Sequence, residues 1–173
     1  AFNMNAGTTV NIDADWASGD ITLRANAANG STTLNIASGI TLDAGTITLN
    51  PPQNNGNSTS LNVNDGNVIC TGLSSTNSGN NGRDCKVAIA TGTLTVNGNI
   101  SMGNNAVRND ITFSDAGTLT VTGNLTTGTL VGNAATINVG GTFTPTTFTA
   151  NTSTVNYNGT GAQVVSAYNY HNL

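Results

Sequence analysis

Asp13, Asp15 and Asp20 form the densest acidic cluster in the chain. Carboxylates at alternate positions share one strand face, a spacing suited to general acid–base pairs or calcium ligation. The plainer role, solubilising Asp and a turn at Gly19-Asp20, is the one expected here, because the paired-Gly, regular-Asp calcium nonapeptide is missing. A polysaccharide hydrolase or lyase on a β-scaffold needs clustered acids beside Arg or Lys. The cations are Arg24, Arg83, Lys86 and Arg108, and Arg83 and Lys86 sit beside the presumed loop cysteines. His171 is the lone histidine, so it completes neither a Ser or Cys triad nor a zinc site. No phosphate loop or dinucleotide fingerprint is present. The expectation is no catalysis, no cofactor and no metal.

Cys70 and Cys85 are the only cysteines. Residues 71–84 between them are nearly all Gly, Ser, Asn and Thr, which reads as a loop expelled from the ordered scaffold. A disulfide across it would contribute about 3 kcal/mol by loop-closure entropy and would imply an oxidising compartment. The competing reading is two unrelated core thiols, with Cys70 in the inward slot of Val68-Ile69-Cys70. The disulfide is favoured.

The elements that must carry these residues are short strands. One unit recurs along the chain, two apolar residues flanking a polar one. Ile21-Thr22-Leu23, Leu34-Asn35-Ile36, Ile40-Thr41-Leu42, Ile47-Thr48-Leu49 and Leu61-Asn62-Val63 show it first. Val87-Ala88-Ile89, Leu94-Thr95-Val96, Ile111-Thr112-Phe113, Leu119-Thr120-Val121, Ile137-Asn138-Val139 and Val155-Asn156-Tyr157 follow. A period of two places both apolar side chains on one strand face and the polar one on the other. The steps between units are mostly 6–8 residues or about twice that, too short for intervening helices. Loops are expected at 51–60, 71–84 and 103–109, and Asn-Gly or Asp-Gly steps such as Asp65-Gly66 and Asn97-Gly98 supply turns.

Composition agrees. The chain has 173 residues, enough for one domain with a sizeable core. Charged residues are 7%, against roughly 25% in ordinary domains. With 30 Thr and 29 Asn, hydroxyls and amides must wet the surface in place of ions. The hydrophobic 36% is regularly placed and β-branched, which argues against low-complexity disorder. A net charge of −4 without a basic patch argues against nucleic acid as a partner. No apolar run approaches the ~20 residues of a membrane-spanning helix, so no membrane insertion is expected.

Two all-β architectures fit these strands. A parallel β-solenoid would stack coils of about 20 residues, with outward Thr and Asn forming ladders. An antiparallel β-sandwich would turn the Asn-Gly steps into hairpins. The solenoid is favoured, since sandwiches have longer strands and aromatic content here is only 5%. The Thr-x-Thr units Thr46-Ile47-Thr48, Thr93-Leu94-Thr95, Thr118-Leu119-Thr120 and Thr142-Phe143-Thr144 would suit an ice-binding solenoid if they formed a flat array, but their uneven spacing and intervening loops argue against a flat, lattice-matched face.

Gly19-Asp20-Ile21-Thr22-Leu23, Gly39-Ile40-Thr41-Leu42-Asp43-Ala44-Gly45 and Gly92-Thr93-Leu94-Thr95-Val96 resemble coils of filamentous-haemagglutinin-like bacterial surface proteins. Residues 153–163 with Tyr170-His171-Asn172-Leu173 resemble a repeat of large secreted bacterial surface proteins. The resemblance implies a right-handed β-helix, secretion to the cell surface and an adhesive or structural role, with no catalytic residues.

Both ends read as strand-like and uncapped, which fits either a slice of a longer polypeptide or a fibre subunit whose terminal strand completes the next copy's sheet. Phe2 and Met4 alternate from the start, and Val164, Val165, Tyr168 and Tyr170 do so near the end. One domain over 1–173 is expected, with terminal strands at about 1–10 and 162–173 exchanged between copies. The functional expectation is an extracellular filament subunit whose main partner is itself, with host or surface glycans as further partners. Its alternatives are a carbohydrate-binding or polysaccharide-degrading β-helix and an ice-binding solenoid.

Overall fold

The computed structural model describes residues 1–23, 30–75, 82–103, 105 and 108–173. Arg24 and the inner parts of the second and third expected loops lie outside the described residues. Among the described residues, all seventeen strands belong to one continuous sheet, and every pairing between them is parallel. The molecule is a parallel β-solenoid.

The first coil contains β1 (Phe2–Met4), β2 (Thr9–Ile12) and β3 (Trp16–Ala17). The next begins with β4 (Ile21–Leu23) and β5 (Thr32–Ile36) and passes into β6 (Thr41–Leu49), which bends from one face to the next. β7 (Asn57–Asn64), β8 (Asn67–Ser75), β9 (Arg83–Ile89) and β10 (Thr93–Val96) continue the winding. β11 (Ile100–Ser101), β12 (Asn109–Phe113), β13 (Thr118–Val121), β14 (Leu125–Val131) and β15 (Thr136–Val139) follow. The last coil is β16 (Phe143–Thr149) and β17 (Thr154–Tyr157).

Three faces result, each a stack of in-register strands. On the first, Phe2, Ile21, Ile47, Leu73, Ile100, Leu125 and Phe143 form one inward column. On the second, Val10, Leu34, Leu61, Val87, Ile111, Leu130 and Phe148 do the same. On the third, Trp16, Leu42, Val68, Leu94, Leu119, Ile137 and Val155 align. From Ile21, Leu34 and Leu42 to Leu125, Ile111 and Ile137, these residues are fully shielded from solvent. Each such aliphatic side chain contributes about 1.5–3 kcal/mol of transfer free energy. Single triplets bury only two side chains, so it is the column that makes the core.

Register survives changes in coil length. Thr48 and Ser74, 26 residues apart, have hydroxyls 3.2 Å from each other, and the stacked Asn138 and Asn156 are only 18 apart. Corner loops absorb the difference. At the corners Asn64, Asn133 and Asn151 adopt left-handed φ of 52°, 46° and 50°, where Asn is among the better tolerated side chains. The outward positions form ladders: Asn35 donates to Asn11 and Asn62 donates to Asn35, each at 2.8 Å. Thr120, Asn138 and Asn156 are linked in the same way on the third face.

The structure corrects two expectations. Strand structure runs into the expected second loop from both sides, with β8 reaching Ser75 and β9 starting at Arg83. Residues 158–173 are irregular apart from one parallel bridge between Thr154 and Asn172, so the chain end is not the extended strand that its alternation suggested. Of the Thr-x-Thr units, Thr93-Leu94-Thr95 and Thr118-Leu119-Thr120 stack on the third face, while Thr46-Ile47-Thr48 and Thr142-Phe143-Thr144 lie on the first face with β8, β11 and β14 between them, so the four form no single array.

Candidate functional site

Cys70 and Cys85 are free, buried thiols, which corrects the expected disulfide. The physical reason is their placement in different stacks. Cys70 lies on the third face between Ala44 and Val96, in a small apolar slot. Cys85 lies on the second face between Thr59 and Asn109, inside a buried polar column that begins at Thr32. That column satisfies carbonyls left over at the turning backbone. Thr59 donates to Asn50 O at 2.7 Å, the Cys85 thiol to Leu49 O at 3.5 Å, and Thr127 to Asn109 O at 2.9 Å. Burial pushes the Cys70 thiol up to about 12 and the Cys85 thiol to about 11, although a hydrogen bond involving Ser75 partly opposes the latter.

The expected acidic cluster proves architectural. Asp15 accepts the Thr41 amide and Asp20 the Thr46 amide, both at 2.8 Å, one coil away. Asp65 repeats the motif with Thr91, whose hydroxyl and amide hold its carboxyl below the usual range. Asp13 is exposed. Among the described residues no group of three His, Cys, Asp or Glu side chains gathers to hold a metal, and no helix is long and apolar enough to cross a membrane.

Residues dispersed in sequence nevertheless meet in space. Asp84 sits 3.0 Å from the Lys86 ammonium and 2.9 Å from the Arg108 guanidinium. Burial raises the Asp84 carboxyl, but hydrogen bonds and charges from Arg108 and Lys86 outweigh it and leave it below its ordinary value. Lys86 is directly in register with Asp110 on the next coil. Asp110 is shifted upward, chiefly by burial, with Lys86 and Arg108 opposing and Asp84 reinforcing. The two ion pairs found among the described residues both belong to this island. Sequence spacing places Asp84 and Lys86 on one strand but gave no sign of Arg108 and Asp110, which come from the next coil.

The two poles differ sharply. At the last coil, Phe143 packs edge-on against Phe148, Tyr157 and Tyr168 at centroid distances of 5.1, 6.3 and 5.5 Å. Tyr170 lies 5.8 Å from the Phe148 ring and shares a 2.7 Å hydroxyl contact with Tyr157. Tyr168 donates to Pro145 O at 2.6 Å and Ser166 to Phe143 O at 2.8 Å. The Gln163 amide donates to Val139 O and Gly141 O and accepts from Gly159 N, at 2.9, 2.8 and 2.6 Å. Residues 163–173 therefore cap the pole. Tyr168 and Tyr170, expected to face another copy, pack on their own chain, while Val164 and Val165 stay 83% and 48% exposed. His171 is exposed beside this cap.

The residues of the first coil are less covered. Met4 is buried in its own coil, but Phe2, Val10, Ile12 and Trp16 are only partly covered. Phe2 and Trp16 meet edge-on at 5.1 Å. β1, β2 and β3 each pair on one side only, with β4, β5 and β6. The clue missed in the sequence was aromatic position: every aromatic except Phe113 lies in the first coil, the last coil or the cap. In comparisons with known protein families, curated proteins and solved structures, the chain matches none.

Proposed function

We propose that this protein is an extracellular structural or adhesive solenoid that extends end to end by strand addition between copies. What supports this reading is the parallel stack itself, three in-register faces joined rung to rung by backbone pairing, the same pairing that another copy would use. Unpaired strand edges template further pairing, and a contact between unlike poles propagates as a filament. The capped pole is the second contact surface, through exposed Val164 and Val165. Such a scaffold needs no reacting groups, and the resemblance to haemagglutinin-like surface proteins agrees with a secreted, cell-surface setting.

The test is negative-stain imaging and light scattering of the purified chain beside a Val10→Lys, Ile12→Lys variant. Concentration-dependent rods in the former and folded single particles in the latter are expected. Native chain that stays monomeric at high concentration, or rods unchanged by the two lysines, would reject end-to-end assembly.

A further inference from the structure

We propose that Gln163, Ser166 and Tyr168 form a plug that bars strand addition to the edge of β16 facing away from β14, so that growth of the stack there waits on the plug lifting. That consequence rests on the strand-addition reading above, whereas the plug itself rests on geometry. In earlier coils the carbonyls facing the next rung take its backbone amides: Gly98 O accepts Gly123 N and Gly123 O accepts Gly141 N, both at 2.9 Å. At the following step the donor changes from backbone to side chain, and Gly141 O accepts the Gln163 amide at 2.8 Å. Gln163 Nε2 also donates to Val139 O at 2.9 Å, Ser166 Oγ to Phe143 O at 2.8 Å and Tyr168 Oη to Pro145 O at 2.6 Å. The carbonyls of Val139, Gly141, Phe143 and Pro145, alternate along the chain, are thus occupied at the spacing an added strand would need.

Pro145 closes the same edge in a second way. It stands in register with Thr127 of β14. In a parallel ladder a residue turns its backbone N–H and C=O toward the same neighbouring strand. The Pro145 carbonyl faces Tyr168, so its nitrogen faces that side too and has no hydrogen to donate. Covering segments and edge prolines are the usual guards against unwanted strand pairing. The hold is nonetheless reversible. Within residues 158–173 β-pairing is limited to the single bridge from Asn172 to Thr154. Val164 and Val165, between the plug donors Gln163 and Ser166, remain exposed, so an incoming copy can engage the segment there.

Fluorescence anisotropy of a dye-labelled peptide copying β14 (Leu125–Val131) tests the edge, beside light scattering of each chain alone. One variant is Gln163→Glu, which keeps the side-chain shape but turns a carboxylate on two carbonyls. The other combines it with Ser166→Ala and Tyr168→Phe. Thermal melting and far-UV circular dichroism check that each is folded, and the single variant decides if the triple one is not. Native chain should capture the peptide weakly, and each plug hydrogen bond lost should tighten capture about fivefold, the scale of one net hydrogen bond. The onset of scattering should move to lower concentration in parallel. Equal capture by native and folded variant chains, or capture by none of them, overturns the plug whatever the scattering shows. Variants that capture the peptide yet never assemble leave the plug standing and reject end-to-end growth instead.

Discussion

The Tyr157 hydroxyl lies 2.7 Å from that of Tyr170, which ties the last strand of the solenoid to the segment that closes it. Tyr170 also donates to Ser166 O at 3.0 Å, and the Ser166 amide donates to Tyr157 Oη at 3.3 Å, so three residues form a closed ring of hydrogen bonds. A solenoid end otherwise exposes its hydrophobic column and strand edge. Here the tail supplies both aromatic cover and polar partners.

Alkali should release this cap. The Tyr168 and Tyr170 phenols are raised above the ordinary value of 10.0, first by burial and further by their tyrosine neighbours. Because the folded values exceed the unfolded one, their contribution is complete below about pH 10 and declines as pH rises above it. Limited proteolysis across pH 8–11 should show cleavage within 160–173 appearing only above pH 10, while the far-UV β signal persists. Tyr170→Phe should cost about 1 kcal/mol in denaturant unfolding, the net worth of a hydrogen bond.

Gly92→Ala should be damaging although its φ is unremarkable. A Cβ there would collide with the Gly66 carbonyl oxygen on the coil below, the same oxygen that accepts the Thr93 amide at 2.9 Å. The corner must splay, at about 1–3 kcal/mol by the usual cost of overpacking. Gly161→Ala, with open space around the added methyl, is the control expected to leave the melting temperature unchanged.

The two thiols should be silent in the native state. Their upward shifts to about 12 and 11 leave almost no thiolate at pH 8, and both are buried. Native protein should resist thiol-labelling reagents until denaturant is added, and reducing agent should not alter its stability. Cys85→Thr should cost under about 1.5 kcal/mol, since Thr32 and Thr59 already occupy that column, whereas Cys70→Thr should cost more by placing a hydroxyl in an apolar slot.

Asn35 is the middle of an amide ladder, donating to Asn11 and accepting from Asn62. Asn35→Asp keeps the shape and loses the donor, so two carbonyl-type oxygens would face each other. A loss of about 1–2 kcal/mol at neutral pH is expected, shrinking at pH 3 when the introduced carboxyl is protonated and can donate again. Denaturant unfolding at the two pH values measures it.

Ile47-Thr48-Leu49 and its ten counterparts were enough to establish strands with one buried face, because a period of two is a property of a few consecutive residues. Few aromatics and short strands, with Thr and Asn outward, also favoured stacked coils. What those triplets cannot specify is which residues become vertical neighbours. That depends on corner loops of unequal length, so Thr48 finds Ser74 across 26 positions and Asn138 finds Asn156 across 18. Only the stacking register could bring Lys86 beside Asp110, put Cys85 among threonines away from Cys70, and set Thr93 beside Thr118. The cap eluded the alternation for a different reason. Tyr168 and Tyr170 do point the same way, but whether that face meets another copy or its own last coil is a choice between burial surfaces, and Phe143, Phe148 and Tyr157 provide the nearer one.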